Sequence, residues 1–284
     1  MTDGPDTTVL TGGDMIAPGL AAVSSLGGGV DHEVWLAFDE RRHCVVVAKV
    51  LRTERDSAVT RDQMRREAAL LERLRHPGIV RLLDADVDAH RPYLLLQHID
   101  GPTLSDLIGR DGALPVHQLV PVGIELAATL VYLRHEGVVH LDIKPSNVVA
   151  GAPAQLLDLG IAVDLPTAAA LSHPAGSDQY MAPEQCRPGE LGVVGPASDV
   201  WGFGTTMFRA AAGRRAWPSE PRWAQLDQPR RALPPHVPGP VADILDRCLS
   251  PLAADRPHPV EVAEAFERVL EALPTARLGG FSLR

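Results

Sequence analysis

The chain has 284 residues, a formal net charge of −9, 45% apolar and 22% charged side chains. That balance is globular rather than disordered, and an acidic chain without a basic arm or stripe is not expected to bind nucleic acid. Three cysteines without metal-ligand spacing, Cys44, Cys186 and Cys248, read as reduced thiols of a cytoplasmic protein. The length is long for one compact core and suits a two-lobed molecule.

Residues 1–16 are polar and Gly-rich and read as a flexible tail. Residues 1–14 contain no basic residue followed by an apolar run, so they do not read as a secretory signal. Residues 34–38 and 44–48 are short runs rich in β-formers, parted by the polar stretch 39–43. In residues 61–75 Met64, Ala68, Leu71 and Leu74 recur at helical spacing, and His76-Pro77-Gly78 ends the segment. Strand-like runs follow at 79–83 and 93–97.

After Asp100-Gly101-Pro102 the pattern turns helical. Leu119, Val122, Leu126, Leu130 and Leu133 mark a long buried helix ending at Gly137, with Pro121 placed in its first turn, where proline costs little. Pro121 and Glu125 interrupt the longest apolar region, so no membrane-spanning segment is expected. A loop-rich middle covers 138–196, and helical patterns return near 197–213, 240–249 and 259–273. Strands with one helix come first and helices second, which implies two lobes joined near residues 97–101.

The residues that carry chemistry are spread through this frame. They are Leu26-Gly27-Gly28-Gly29, Val47-Ala48-Lys49, His140-Leu141-Asp142-Ile143-Lys144-Pro145-Ser146-Asn147, Asp158-Leu159-Gly160, Ala182-Pro183-Glu184 and Asp199-Val200-Trp201. In order and spacing this set resembles the signature of the eukaryotic-type serine/threonine protein kinases of bacteria, over about residues 17–273. The resemblance implies an α+β, two-lobed protein kinase fold, with a small N-lobe of antiparallel sheet plus one helix and a larger, mainly helical C-lobe. The divisions are then a tail over 1–16, an N-lobe over 17–99, a C-lobe over 100–273 and a C-terminal tail over 274–284.

It also implies roles. Lys49 contacts the α- and β-phosphates of ATP and pairs with Glu67, eighteen residues on. Asp142 accepts or orients the proton of the substrate hydroxyl, and Lys144 neutralises the γ-phosphate. Asn147 and Asp158 hold Mg²⁺, or Mn²⁺ in its place; both are hard oxygen donors suited to such ions. Leu26, Gly27 and Gly29 belong to the phosphate loop, Val34, Ala48 and Val149 enclose the adenine, and Leu96, Gln97 and Ile99 form the hinge. Ser177 follows Gly176 as in serine/threonine kinases. Glu184 and Arg256 form a buried ion pair, Asp199 pins the catalytic loop, and Leu71, Leu82, His140 and Leu159 form an apolar stack.

The chain departs from the pattern in two ways. His32 occupies the third glycine position of the loop. Leu141, Gln63 and Val163 stand where basic residues hold a phosphorylated activation loop, so activity is expected without phosphorylation of Thr167 or Ser172. Protein substrates with Ser/Thr acceptors are the expected partners, with dimerisation left open. A nucleotide-binding scaffold without transfer and a small-molecule phosphotransferase remain as alternatives.

Overall fold

The computed structural model describes residues 10–274 and the short segments 277–278 and 281–282. The chain divides into two compact units: one holds residues up to Arg75, 79–100 and 158–160, the other 76–78, 101–157 and 161 onward.

The first unit is built on a six-stranded antiparallel sheet. Its strands are β1 (Met15–Ala17), β2 (Leu20–Gly28), β3 (His32–Asp39), β4 (Cys44–Leu51), β5 (Leu82–Asp86) and β6 (Tyr93–Gln97), in the order β1-β2-β3-β4-β6-β5. Helix α1 (Ala58–Arg73) lies between β4 and β5 in sequence. Ser57 caps it: its hydroxyl accepts the Thr60 N–H while the Thr60 hydroxyl accepts the Ser57 N–H, satisfying two donors that a helix start leaves free.

Strand alternation sorts the sheet into two faces. Trp35, Ala37, Val46, Ala48, Val50, Tyr93 and Leu95 pack on one face with Leu10, Ile16, Leu20 and Ala22. The other face carries Val34, Leu36, Val47, Lys49, Leu94 and Leu96, set by the registers Val34↔Lys49, Leu36↔Val47, Lys49↔Leu94 and Val47↔Leu96.

Two expectations change here. The flexible tail does not extend to residue 16: Leu10 and Ile16 are 6% exposed in the core and β1 pairs with β2, while residues 1–9 lie outside the described residues. The strand expected over 79–83 is β5, three residues later. Ile79 and Val80 are buried but lie outside β5, Ile79 in an isolated bridge and Val80 in a loop.

The second unit is mainly helical. Helix α2 (Leu104–Asp111) went unrecognised in the sequence, although Thr103 and Asp106 cap it reciprocally. Helix α3 (Val116–His135) is long and apolar enough, by length and composition, to cross a membrane, contrary to the expectation above. Half of its apolar window is buried within the unit, as in the core helix of a folded domain. Pro121 is the sixth residue of α3 and not in the first turn. The short strands β7 (Val138–Val139), β8 (Val148–Val149), β9 (Gln155–Leu156) and β10 (Val163–Asp164) form two pairs, β7 with β10 and β8 with β9.

Helices α4 (Leu165–Ala169), α5 (Pro183–Cys186), α6 (Pro196–Ala212), α7 (Gly239–Cys248) and α8 (Pro259–Ala272) complete the unit. Helix α3 packs on α6 and α8, with Phe203 meeting Phe266 edge to face at 5.8 Å. In the expected C-terminal tail, β11 (Arg277–Leu278) pairs with β12 (Phe281–Ser282). The other tail residues beyond 274 lie outside the described residues.

Candidate active site

In the first unit, β4 carries Lys49 and the buried face of α1 carries Glu67 beside Met64, Ala68 and Leu71. Lys49 Nζ lies 2.8 Å from both Glu67 carboxylate oxygens and 2.7 Å from Asp158 Oδ1. Burial pulls the Lys49 ammonium toward deprotonation, but Glu67 and Asp158 more than offset it, and its pKa ends above the ordinary lysine value. Lys49 is therefore a fixed cation at neutral pH. Asp158 sits at φ 54°, and the Gly160 N–H donates to its Oδ1 at 3.2 Å. A Cβ on Gly160 would lie 3.1 Å from that oxygen and 3.2 Å from Lys49 Nζ, so the glycine lets the turn close on the charged trio.

The second unit carries Asp142, Lys144 and Asn147 on one loop. Lys144 Nζ is 2.7 Å from Asp142 Oδ2 and 2.8 Å from Ser177 Oγ. Asn147 Nδ2 donates to the Asp142 backbone carbonyl at 2.9 Å and to its Oδ2 at 3.2 Å. Asp142 Oδ1 is buried without a hydrogen-bond partner. One carboxylate oxygen is clamped and the other is left to accept.

Asp199 holds this loop from α6. Its two oxygens accept the backbone N–H groups of His140 and Leu141, each at 2.8 Å. Burial raises the Asp199 pKa, against the lowering pull of His140 and these N–H donors. Leu141 takes φ 70°, a conformation disfavoured for leucine and held here by the Asp199 bond. Gln185 Nε2 donates to the carbonyls of Leu141 and Ala175, both at 2.8 Å. Gly176, at φ 121°, comes so close that a Cβ would lie 2.6 Å from the Leu141 oxygen, which fixes Ser177 beside Lys144.

Residues 177–181 are gripped from a second side. The Asp178 carboxylate accepts Arg222 Nε at 2.9 Å, Arg222 Nη2 at 3.0 Å and Trp223 Nε1 at 2.9 Å. Gln225 Nε2 donates to the Asp178 carbonyl at 2.7 Å. Glu184 and Arg256 form a bidentate pair at 2.6 and 2.8 Å, both side chains fully buried.

The remaining expected residues fall as follows. Gly27 pairs with Val34 between β2 and β3, Leu26 is exposed, and Gly29 donates its N–H to the His32 carbonyl at 2.9 Å. Leu96 is buried on the Lys49 face of the sheet, the Gln97 N–H donates to the Arg81 carbonyl at 2.9 Å, and Ile99 is half-buried. Val149 is buried in β8 and bridges to Thr103. Leu71, His140 and Leu159 are buried and Leu82 half-buried.

Ala48 is a correction. It packs fully buried with Trp35 and Leu95 on the face opposite Lys49. Val47 occupies the Lys49 face, and counting by two from Lys49 would have found it. Gln185 and the Arg222–Trp223 clamp were also missed, and no local pattern marks them.

Among the described residues no group of three or more His, Cys, Asp or Glu side chains forms a metal centre. Asn147 gives its amide nitrogen to Asp142, which leaves its oxygen as a ligand, and Asp158 is a carboxylate. Each, in its own unit, offers a hard oxygen donor of the kind that suits a cation such as Mg²⁺.

A model of the protein kinase domain matches residues 20–266. Serine/threonine-protein kinase PknB of Mycobacterium leprae is 33% identical over 202 residues, which cover 66% of this chain and 31% of that protein. Serine/threonine-protein kinase pkn2 of Myxococcus xanthus is 30% identical over 221 residues, 74% of this chain and 25% of that one. Serine/threonine-protein kinases drp72 of Corynebacterium efficiens is 31% identical over 240 residues, 79% and 45%. The chain thus spans between a quarter and a half of the length of these relatives.

Proposed function

Because the chain belongs to the protein kinase domain family, we propose that it transfers the γ-phosphate of ATP to serine or threonine hydroxyls of protein substrates. The buried, unpartnered Asp142 Oδ1 carries this reading. It is an acceptor with no structural duty, on a carboxylate whose other oxygen is already held by Lys144 and Asn147.

In the reaction Asp142 Oδ1 accepts the proton of the substrate hydroxyl. The hydroxyl oxygen forms the new bond to the γ-phosphorus, and the bond from that phosphorus to the bridging oxygen breaks, releasing ADP. Lys144 offsets charge on the transferring group and, through Ser177, ties the substrate-side loop to the base. Lys49, oriented by Glu67, neutralises the α- and β-phosphates. Such transfer needs placement and charge compensation more than covalent chemistry. Asn147 and Asp158 would hold Mg²⁺, with Mn²⁺ a workable substitute, and the ion supplies charge neutralisation across the phosphates. Val34, Val47, Leu96 and Val149 would enclose the adenine, with the backbone of Gln97 and Ile99 at its edge. A domain that consumes ATP would work on the cytoplasmic side.

The reading includes independence from activation-loop phosphorylation. Leu141 packs with Val139, Ala168 and Val194, against Val163 and Leu171. The segment is thus held by apolar burial at two of the three positions where a phosphate would need cations, Leu141 and Val163, while Gln63, Thr167 and Ser172 are exposed.

The test is incubation with γ-labelled ATP and Mg²⁺, alone and with a generic basic protein. Label on protein that falls by about 10²-fold or more in Asp142→Asn, with nucleotide affinity retained, supports the proposal. Nucleotide binding without transfer to any acceptor would return the scaffold reading, and transfer to small molecules alone the phosphotransferase.

A further inference from the structure

His32 stands at the head of β3, and alternation along that strand puts it on the same face as Val34, the register partner of Lys49. Its backbone carbonyl closes the hairpin by accepting the Gly29 N–H, so the imidazole is rooted at the base of the glycine-rich turn. Its Nε2 is buried and has no hydrogen-bond partner. The side chain lies within the fields of Lys49, Asp158, Asp31 and Arg52.

A buried nitrogen without a partner costs on the order of 1–3 kcal/mol. Nothing in β3 packing requires one, since glycine or an apolar residue would avoid it. The orphan nitrogen is explained if it gains a partner when substrate arrives. We propose that His32 is a phosphate-binding residue whose Nε2–H donates to an oxygen of the nucleotide phosphates held by Lys49. This rests on the nucleotide reading above. It adds a side-chain donor to a turn that would otherwise offer phosphate only backbone N–H groups.

The protonation state agrees. Burial, and then the Lys49 ammonium, lower the His32 pKa to about 4, against the raising effect of Asp31 and Asp158. At pH 7 the ring is therefore neutral with a single N–H. It adds no second positive charge beside Lys49 in the free protein.

The experiment is equilibrium titration of the whole chain, followed by calorimetry, with a non-hydrolysable ATP analogue, ADP and adenosine. His32→Ala is expected to weaken the analogue and ADP by about ten- to a hundredfold, the loss of one hydrogen bond to a charged group, while leaving adenosine unchanged. His32→Gln, which retains a side-chain N–H, should recover most of the loss, and His32→Leu, which fills the space without a donor, should not. Equal weakening of adenosine and ADP would show a packing role and overturn the proposal. Unchanged or tighter analogue binding in His32→Ala, or full affinity in His32→Leu, would overturn it as well. Wild-type protein that binds none of the three ligands would remove the nucleotide reading itself, and this inference with it.

Discussion

Replacing Arg256 by methionine should destabilise the second unit more than removing any exposed charge. Arg256 donates to both oxygens of Glu184, at 2.6 and 2.8 Å, and to the carbonyls of Ser250, Ala197 and Pro251. Its guanidinium also lies 5.1 Å from the Trp201 ring centre. Methionine fills the stem but leaves the Glu184 carboxylate buried, with Ser198 Oγ as its remaining hydrogen-bond partner. Stranding one charge of a buried pair costs about 3–5 kcal/mol. For a unit of this size roughly 2–4 °C of melting temperature accompanies each kcal/mol, so the midpoint should fall by roughly 6–20 °C. Tryptophan fluorescence is the suitable probe, because Trp201, Trp217 and Trp223 lie in this unit and only Trp35 in the other. Arg256→Met/Glu184→Met should recover much of the loss, since an apolar pair of similar volume is often neutral relative to a buried ion pair. A shift below about 2 °C for Arg256→Met, or a double variant as unstable as the sum of the singles, would refute the reasoning.

Thr167→Ala/Ser172→Ala should leave the initial rate of transfer within about twofold of wild type, because apolar packing around Leu141 holds the segment; a tenfold loss would show that a phosphate is needed. Cysteine labelling separates the three thiols. Burial, reinforced by Asp178, pushes Cys186 up to about 12, and burial raises Cys248 further. Only the thiolate reacts, so iodoacetamide at pH 8 should label exposed Cys44 in the native protein, with the other two labelled only in denaturant. Native labelling of Cys248 by peptide mass would contradict its burial.

Most of the charged residues of the candidate site were legible in the sequence because their types and order resemble the protein kinase signature. A lysine, carboxylates and an asparagine can be recognised by type and order along the chain without knowing what packs around them. What escaped was the part set by packing. The resemblance assigns Ala48 to the adenine through the motif Val47-Ala48-Lys49, and the uninterrupted apolar run 45–48 offers no alternation to correct it. Only the side taken by Lys49 reveals that Val47 shares its face. Leu10 and Ile16 read as part of a tail because an isolated apolar residue in a polar stretch looks the same whether or not a sheet face waits to receive it. Proline costs least in the first turn, which draws Pro121 toward the helix start, yet the helix begins at Val116, just after Pro115.

These misses share a cause, and it bears on function. A local pattern reports what a segment prefers alone, whereas burial is decided by partners far along the chain. Leu141 shows the consequence. As one residue it is merely an arginine that is missing. With Val139, Ala168, Val194 and Leu171 around it, it becomes an apolar anchor for the segment that carries Thr167 and Ser172. A phosphate contact can be added or removed by enzymes, but burial of this kind is present from folding onward. If the proposed independence from phosphorylation holds, that apolar contact does the work a reversible electrostatic one would otherwise do, and the Thr167→Ala/Ser172→Ala rate is the measurement that decides it.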